Sequence, residues 1–178
     1  MKLFDYLLAK KHGSSGSSLT ISNCNYLFYA NARLNQLNDI LKICKNITSV
    51  TSMFASCTDL TTLDLTIYDL GNINVTGTSG MFQNCSNLTS LDMSNFTASP
   101  TDTIQGMFQG CRALTHLDIR NFDFTKAQYN ANVFGGNSSN YVPANCEIIV
   151  KDETQKNWIG TYYSRLTNVK TVDEYENV

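Results

Sequence analysis

Asp64, Asp92 and Asp118 occupy one slot of a recurring unit, with Asn38 at the equivalent place upstream. Two residues ahead of them stand Thr62, Ser90 and His116, with Gln36 upstream. Aligned carboxylates can accept hydrogen bonds from a polar ligand or supply oxygens to a cation such as Ca2+. These eight residues are therefore the candidate ligand contacts. The competing reading is structural: like charges at strand spacing repel by about 1 kcal/mol per pair in solvent, so each carboxylate is expected to accept from a neighbouring turn or backbone amide. Calcium needs further oxygen ligands that the sequence does not supply, and no metal site is assigned. A second set, Cys57, Cys85 and Cys111, shares another slot. Cys111 lies five residues before His116, a combination that would suit nucleophilic catalysis if both side chains met. The cysteine slot faces inward and the histidine slot outward, so the two are expected on opposite sides. There is no third orienting residue, no G-x-S-x-G, no phosphate loop and no H-E-x-x-H. The chain is read as a non-enzyme that needs no cofactor.

The elements that must position these residues are repeats. In Met81 to Phe96, MFQNCSNLTSLDMSNF, apolar residues Met81, Phe82, Cys85 and Leu88 keep helical offsets, after which Leu91 and Met93 alternate. The spacing predicts one turn of helix feeding one short strand. The same order returns in Met107 to Phe122, in Met53 to Thr66 and more faintly in Leu27 to Ile40, with a worn copy at Val133-Phe134. Copies starting at 27, 53, 81, 107 and 133 are spaced by 26, 28, 26 and 26 residues, the signature of a stacked array. The expected fold is an α/β repeat solenoid of about five units with N- and C-terminal caps.

Charged residues are 16% of the chain, below the roughly 25% usual for soluble domains, and Ser, Thr and Asn take their place. With a net charge of -2 and no basic cluster, neither nucleic acid nor an anionic membrane is an expected partner. No apolar run reaches the ~20 residues of a membrane span, and Met1 to Lys11 lacks the features of a cleaved signal peptide. Without CxxC or His-rich spacing, Cys57, Cys85 and Cys111 are expected as buried thiols; the states of Cys24, Cys44 and Cys146 stay open.

Three divisions follow. Residues 1–18 combine a stripe of Leu3, Phe4, Leu7 and Leu8 with a Gly/Ser tether, read as an attachment helix that docks on another protein; a fold-back cap and a frayed end are the alternatives. Residues 19–145 form the repeat array. Residues 146–178 form a C-terminal cap, with a strand over Cys146 to Val150, a short helix capped by Asp152 and containing Trp158 and Ile159, and a strand within Leu166 to Val172. Trp158 is expected to cover the open end of the core.

The strand halves read L-x-x-L-x-L in Leu60 to Leu65, Leu88 to Met93 and Leu114 to Ile119, the centre of a leucine-rich repeat. The fuller pattern M-F-x-x-C-x-x-L-x-x-L-D followed by S-N-F resembles the BspA-like leucine-rich repeats of bacterial surface proteins and related phage-encoded proteins. Phe96 and Phe122 stand where ordinary leucine-rich repeats carry an Asn or Cys ladder. The ending VPANCEIIVKDETQKNW is similar to the close of many BspA-like proteins, which suggests a natural C-terminus. The start resembles the leading segments of small phage tail and virion proteins. The resemblance implies short parallel strands joined to short helical turns, and recognition or adhesion without catalysis. The expected function is a binding module displayed on a phage virion through its N-terminal helix, recognising a host-surface protein or glycan. The alternatives are a bacterial cell-surface adhesin and a structural decoration protein of the virion without a ligand.

Overall fold

The computed structural model describes residues 21–30, 44–66, 78–97, 103–136 and 139–177. Strands β1 (Ile21–Asn23) and β2 (Cys44–Ser49) pair in parallel. Each L-x-x-L-x-L segment then contributes one three-residue strand: β3 (Thr62–Asp64), β4 (Ser90–Asp92) and β5 (His116–Asp118). Strands β6 (Glu147–Val150) and β7 (Val169–Thr171) complete a five-stranded, all-parallel sheet in sequential order. Leu63, Leu91 and Leu117 are direct register partners and point into the core. Flanking residues consequently point out, because strand side chains alternate.

The Met-Phe-x-x-Cys segments are not helical turns, which corrects the expectation from sequence. They are tandem tight turns whose backbone N–H groups alternate between two destinations. Met81, Gln83 and Cys85 donate three residues back, to Thr78, Gly80 and Phe82. Gly80, Phe82 and Asn84 donate instead to Gln105, Met107 and Gln109 of the next unit, at 2.9, 2.9 and 2.7 Å. The cause is backbone conformation. The residues one before and three after the Met81 slot have positive φ in four successive units: Tyr26 and Ala30, Ser52 and Ser56, Gly80 and Asn84, Gly106 and Gly110. A left-handed residue every fourth position prevents helical propagation and turns alternate donors toward the neighbour.

Inside the array Phe28, Phe54, Phe82, Phe108 and Phe134 form one column, with successive centroids 5.2, 5.3, 5.9 and 5.6 Å apart and ring planes within 17° of parallel. Tyr163 ends the column edge-on to Phe134 at 5.2 Å. All six cysteines are buried. The thiols of Cys57, Cys85 and Cys111 donate to the carbonyls of Phe28, Phe54 and Phe82 at 2.9, 3.1 and 3.2 Å, one unit back. A small apolar residue with a weak donor suits that slot. Phe96 and Phe122 add a second ring contact at 5.9 Å, while the preceding Asn95 and Asn121 donate to the carbonyls of Thr66 and Ser94. Inter-unit asparagine and cysteine bonds are thus both present, at slots other than those of Phe96 and Phe122.

The cap follows its expected outline. Helix α1 (Glu153–Tyr162) starts at Asp152, whose side chain accepts from the Gln155 N–H, satisfying one of the orphan donors of its first turn. Trp158 packs edge-on to Phe124 at 5.0 Å and lies 6.0 Å from Tyr163. A further helix, α2 (Val172–Glu176), is closed at its start by a reciprocal Thr171 and Glu174 capping box.

Candidate binding site

Register alone brings the outward residues together: Thr62, Ser90 and His116 are successive partners, as are Asp64, Asp92 and Asp118, at the ~4.8 Å separation of paired strands. Thr61, Thr89 and Thr115 flank them, with the Thr89 and Thr115 hydroxyls each donating to the previous threonine's carbonyl at 2.9 Å. The face is therefore neutral and polar, apart from its row of carboxylates.

Those carboxylates have a structural task. Asp64 Oδ1 accepts from the backbone N–H and hydroxyl of Thr66, and Asp92 Oδ1 accepts from the Ser94 N–H at 2.8 Å. Each closes the turn that ends its strand, a local bond that short polar side chains form readily. Oδ2 of Asp64 and of Asp92 makes no hydrogen bond among the described residues and remains able to accept from a ligand.

Asp118 differs. It is only 3% exposed and is gripped by Arg120, whose Nε and Nη2 donate to it at 3.0 and 2.7 Å. The Asp118 carboxylate, followed by Glu176, holds the Arg120 pKa above its ordinary value. Arg120 Nη1 also reaches Glu176 at 2.6 Å, and the Tyr175 ring lies 5.8 Å from the guanidinium and 6.3 Å from the His116 ring. Helix α2 thus covers this end of the face. His116 Nδ1 lies 3.0 Å from Glu147 Oε2, while Lys170 Nζ donates to Glu147 Oε1 at 2.8 Å. Lys170 and then His116 hold the Glu147 carboxyl below the usual carboxylate range, against its partial burial. Of the eight expected contacts, the structure leaves Thr62, Asp64, Ser90 and Asp92 open. It corrects Asp118 to a buried ion-pair member and engages His116 with Glu147. Gln36 and Asn38, and the docking stripe of Leu3, Phe4, Leu7 and Leu8, lie outside the described residues.

The thiols of Cys85, Cys111 and Cys146 are chemically quiet. Burial pushes Cys85 and Cys146 up to about 12 and Cys111 well above its ordinary value, so at neutral pH they stay protonated and poorly nucleophilic. Cys111 is bonded to Phe82 behind the sheet, whereas His116 faces Glu147 on its outer side. Among the described residues no group of three or more His, Cys, Asp or Glu could hold a metal ion, and no helix is long and apolar enough to cross a membrane.

One feature, helix α2, escaped the sequence reading, and of the turn-closing role expected for the carboxylates only the partner residues did. Helix α2 was detectable as the capping pattern Thr171-Val172-Asp173-Glu174, but its landing place depends on Arg120, far back in the chain. The turn-closing carboxylates had a signal in Asp64-x-Thr66, Asp92-x-Ser94 and Asp123-x-Thr125, the last with the same bonds, Asp123 Oδ1 accepting from the Thr125 N–H and hydroxyl.

The model of a family described as "Mycoplasma protein of unknown function, DUF285" matches residues 22–145. No curated protein and no solved structure matches the chain.

Proposed function

We propose that this chain, which belongs to the DUF285 family, is a non-enzymatic recognition module built as a BspA-like leucine-rich-repeat solenoid. The observation that carries the reading is the open patch of Thr62, Asp64, Ser90 and Asp92, aligned on two adjacent strands over a fully packed core. A stacked array holds such residues at fixed spacing on a rigid surface, the arrangement that repeat proteins use to bind extended partners. The buried, protonated thiols of Cys85, Cys111 and Cys146 and the carboxylates occupied in closing turns favour binding over catalysis. Its partner is a protein or glycan on a host surface. The Leu3, Phe4, Leu7 and Leu8 stripe supports mounting on a phage particle, with the bacterial cell surface as the alternative site of display.

The test uses fluorescently labelled full-length protein, a panel of intact bacterial and animal cells, and the double variant Thr62→Lys with Ser90→Lys. Both substitutions sit on the outer face and spare the turn-closing aspartates. Saturable binding by the wild type and its loss in the variant, at unchanged circular dichroism and thermal midpoint, is the expected result. Equal binding by the folded variant refutes this face as the recognition surface, and absence of wild-type binding across the panel favours a decoration role.

A further inference from the structure

We propose that the groove at the C-terminal end of the array, between the last tight turn and the end of α1, is a binding subsite for a carboxylate-bearing sugar. The groove is an open one of about 400 Å³, and Asn130, Asn132, Tyr141, Tyr162, Ser164 and Arg165 line it. It is built from segments other than the open sheet face and stands independently of that reading.

The argument begins with Arg165. Its Nη1 donates to the Val142 carbonyl at 2.6 Å, its Nη2 to the Phe134 carbonyl at 2.8 Å, and its Cζ lies 3.7 Å from the centre of the Tyr141 ring. These contacts fix the guanidinium but use two of its five N–H groups. Among the described residues no carboxylate pairs with it, whereas Arg120, Lys126, Lys156 and Lys170 each have one. Arg112 and Lys151 also lack an acid, but both are exposed; Arg165 is half-buried. In a chain of net charge -2, a fixed, partly desolvated cation without an acid is suited to an incoming carboxylate, which a guanidinium can bind through two parallel hydrogen bonds.

The remaining lining selects a sugar over a simple anion. The side chains of Asn130, Asn132 and Ser164 make no hydrogen bond among the described residues, leaving amide and hydroxyl groups for ring hydroxyls. Tyr162 is 60% exposed, and Trp158 fixes its ring at 4.8 Å. An aromatic ring held this way can stack on the apolar C–H face of a pyranose. A few convergent polar groups beside aromatic surface are the usual make-up of a small-molecule site. A neutral sugar would leave Arg165 half-buried and unpaired, and a bare carboxylate would not use the ring or the amides.

Titration calorimetry of the full-length chain tests the assignment with trigalacturonate, cellotriose and acetate as probes. Trigalacturonate is expected to saturate with a dissociation constant of about 0.1 to 1 mM, and cellotriose to bind at least ~10-fold more weakly. Acetate at equal concentration should not displace the trisaccharide. Because Arg165 also supports two carbonyls, the decisive variants are Asn130→Asp, which adds a competing carboxylate, and Tyr162→Ala. The first should weaken trigalacturonate ~10-fold and the second ~5-fold, with the thermal midpoint kept. Absence of saturation up to ~10 mM, equal affinity for cellotriose, displacement by acetate, or unchanged binding in both variants overturns the proposal.

Discussion

In the phenylalanine column energetic coupling should run only between adjacent rings. Phe82 lies 5.3 Å from Phe54 and 5.9 Å from Phe108, with both ring pairs within 3° of parallel. Phe54 and Phe108 are therefore separated by a whole ring, roughly 11 Å between centroids, beyond the range at which side chains couple directly. Replacement of Phe by Leu keeps an apolar side chain and is expected to cost about 1–2 kcal/mol at each site. An aromatic pair contributes about 0.5–1.5 kcal/mol beyond its buried area. A double-mutant cycle on Phe54→Leu and Phe82→Leu should then return a coupling of about 0.5–1.5 kcal/mol. The cycle on Phe54→Leu and Phe108→Leu should return no more than ~0.3–0.5 kcal/mol. Urea unfolding followed by far-ultraviolet circular dichroism gives the four stabilities of each cycle. Fluorescence of Trp158, which packs at the far end of the array, supplies the second probe needed to verify a single transition. Coupling between the outer rings as large as that between neighbours refutes the layer-by-layer account of the core.

Gly110 has φ +84°, and an added Cβ would lie 2.4 Å from Asn84 Oδ1 and 3.1 Å from its Cα, so Gly110→Ala should cost at least ~2 kcal/mol. Ser56→Gly at the equivalent slot, φ 60°, should gain about 0.5–1 kcal/mol, because relief of left-handed strain outweighs the added chain entropy; urea midpoints shifting in the same direction would refute the account of the turns. Native protein should resist iodoacetamide at pH 8, while unfolded, unreduced protein should take up six labels, one per cysteine; a reproducible shortfall by intact mass would reveal a disulfide. Glu147, its folded pKa lowered by Lys170 and His116, contributes stability that is present above its unfolded value of ~4.3 and lost as pH falls through the folded value. Glu147→Gln should therefore destabilise at pH 7 and converge with wild type once the pH has fallen through the folded carboxyl's titration; a gap of the same size at pH 7 and in acid in urea titrations would contradict the ion-pair assignment.

The 27, 53, 81, 107 and 133 spacing revealed the stacking because each unit places one phenylalanine in the same column, and identical environments select identical residues. It misidentified the turns for a physical reason: tandem turns with three-residue hydrogen bonds bury Met81, Phe82 and Cys85 at offsets that a helical turn also satisfies. Only the left-handed slots distinguish the two, and there Gly80, Gly106 and Gly110 alternate with Tyr26 and Ser52, which carry no sequence warning. Strand alternation located the candidate face, because the outward positions of a three-residue strand leave little freedom. Which part of that face stays open was not legible, since it depends on Tyr175 and Glu176 reaching residues some 56–59 positions earlier in the chain.

The backbone cross-unit bonds of the tight turns all run one way. Phe28, Phe54, Phe82 and Phe108 each donate to the unit that follows, and at the last turn the Tyr163 hydroxyl accepts from the Val133 N–H at 2.8 Å while donating to the Asn130 carbonyl. The array consequently has the polarity of a head-to-tail polymer; the Tyr163 hydroxyl bridges the local bond of the last turn, and its ring, edge-on to Phe134, acts as the terminator of the stack. A duplicated unit spliced into the interior would meet matching donors and acceptors on both sides, whereas one added beyond Val133 would have to displace the terminator. Evolution can therefore lengthen or shorten this scaffold like a ruler, in steps of about one repeat, without redesigning either end.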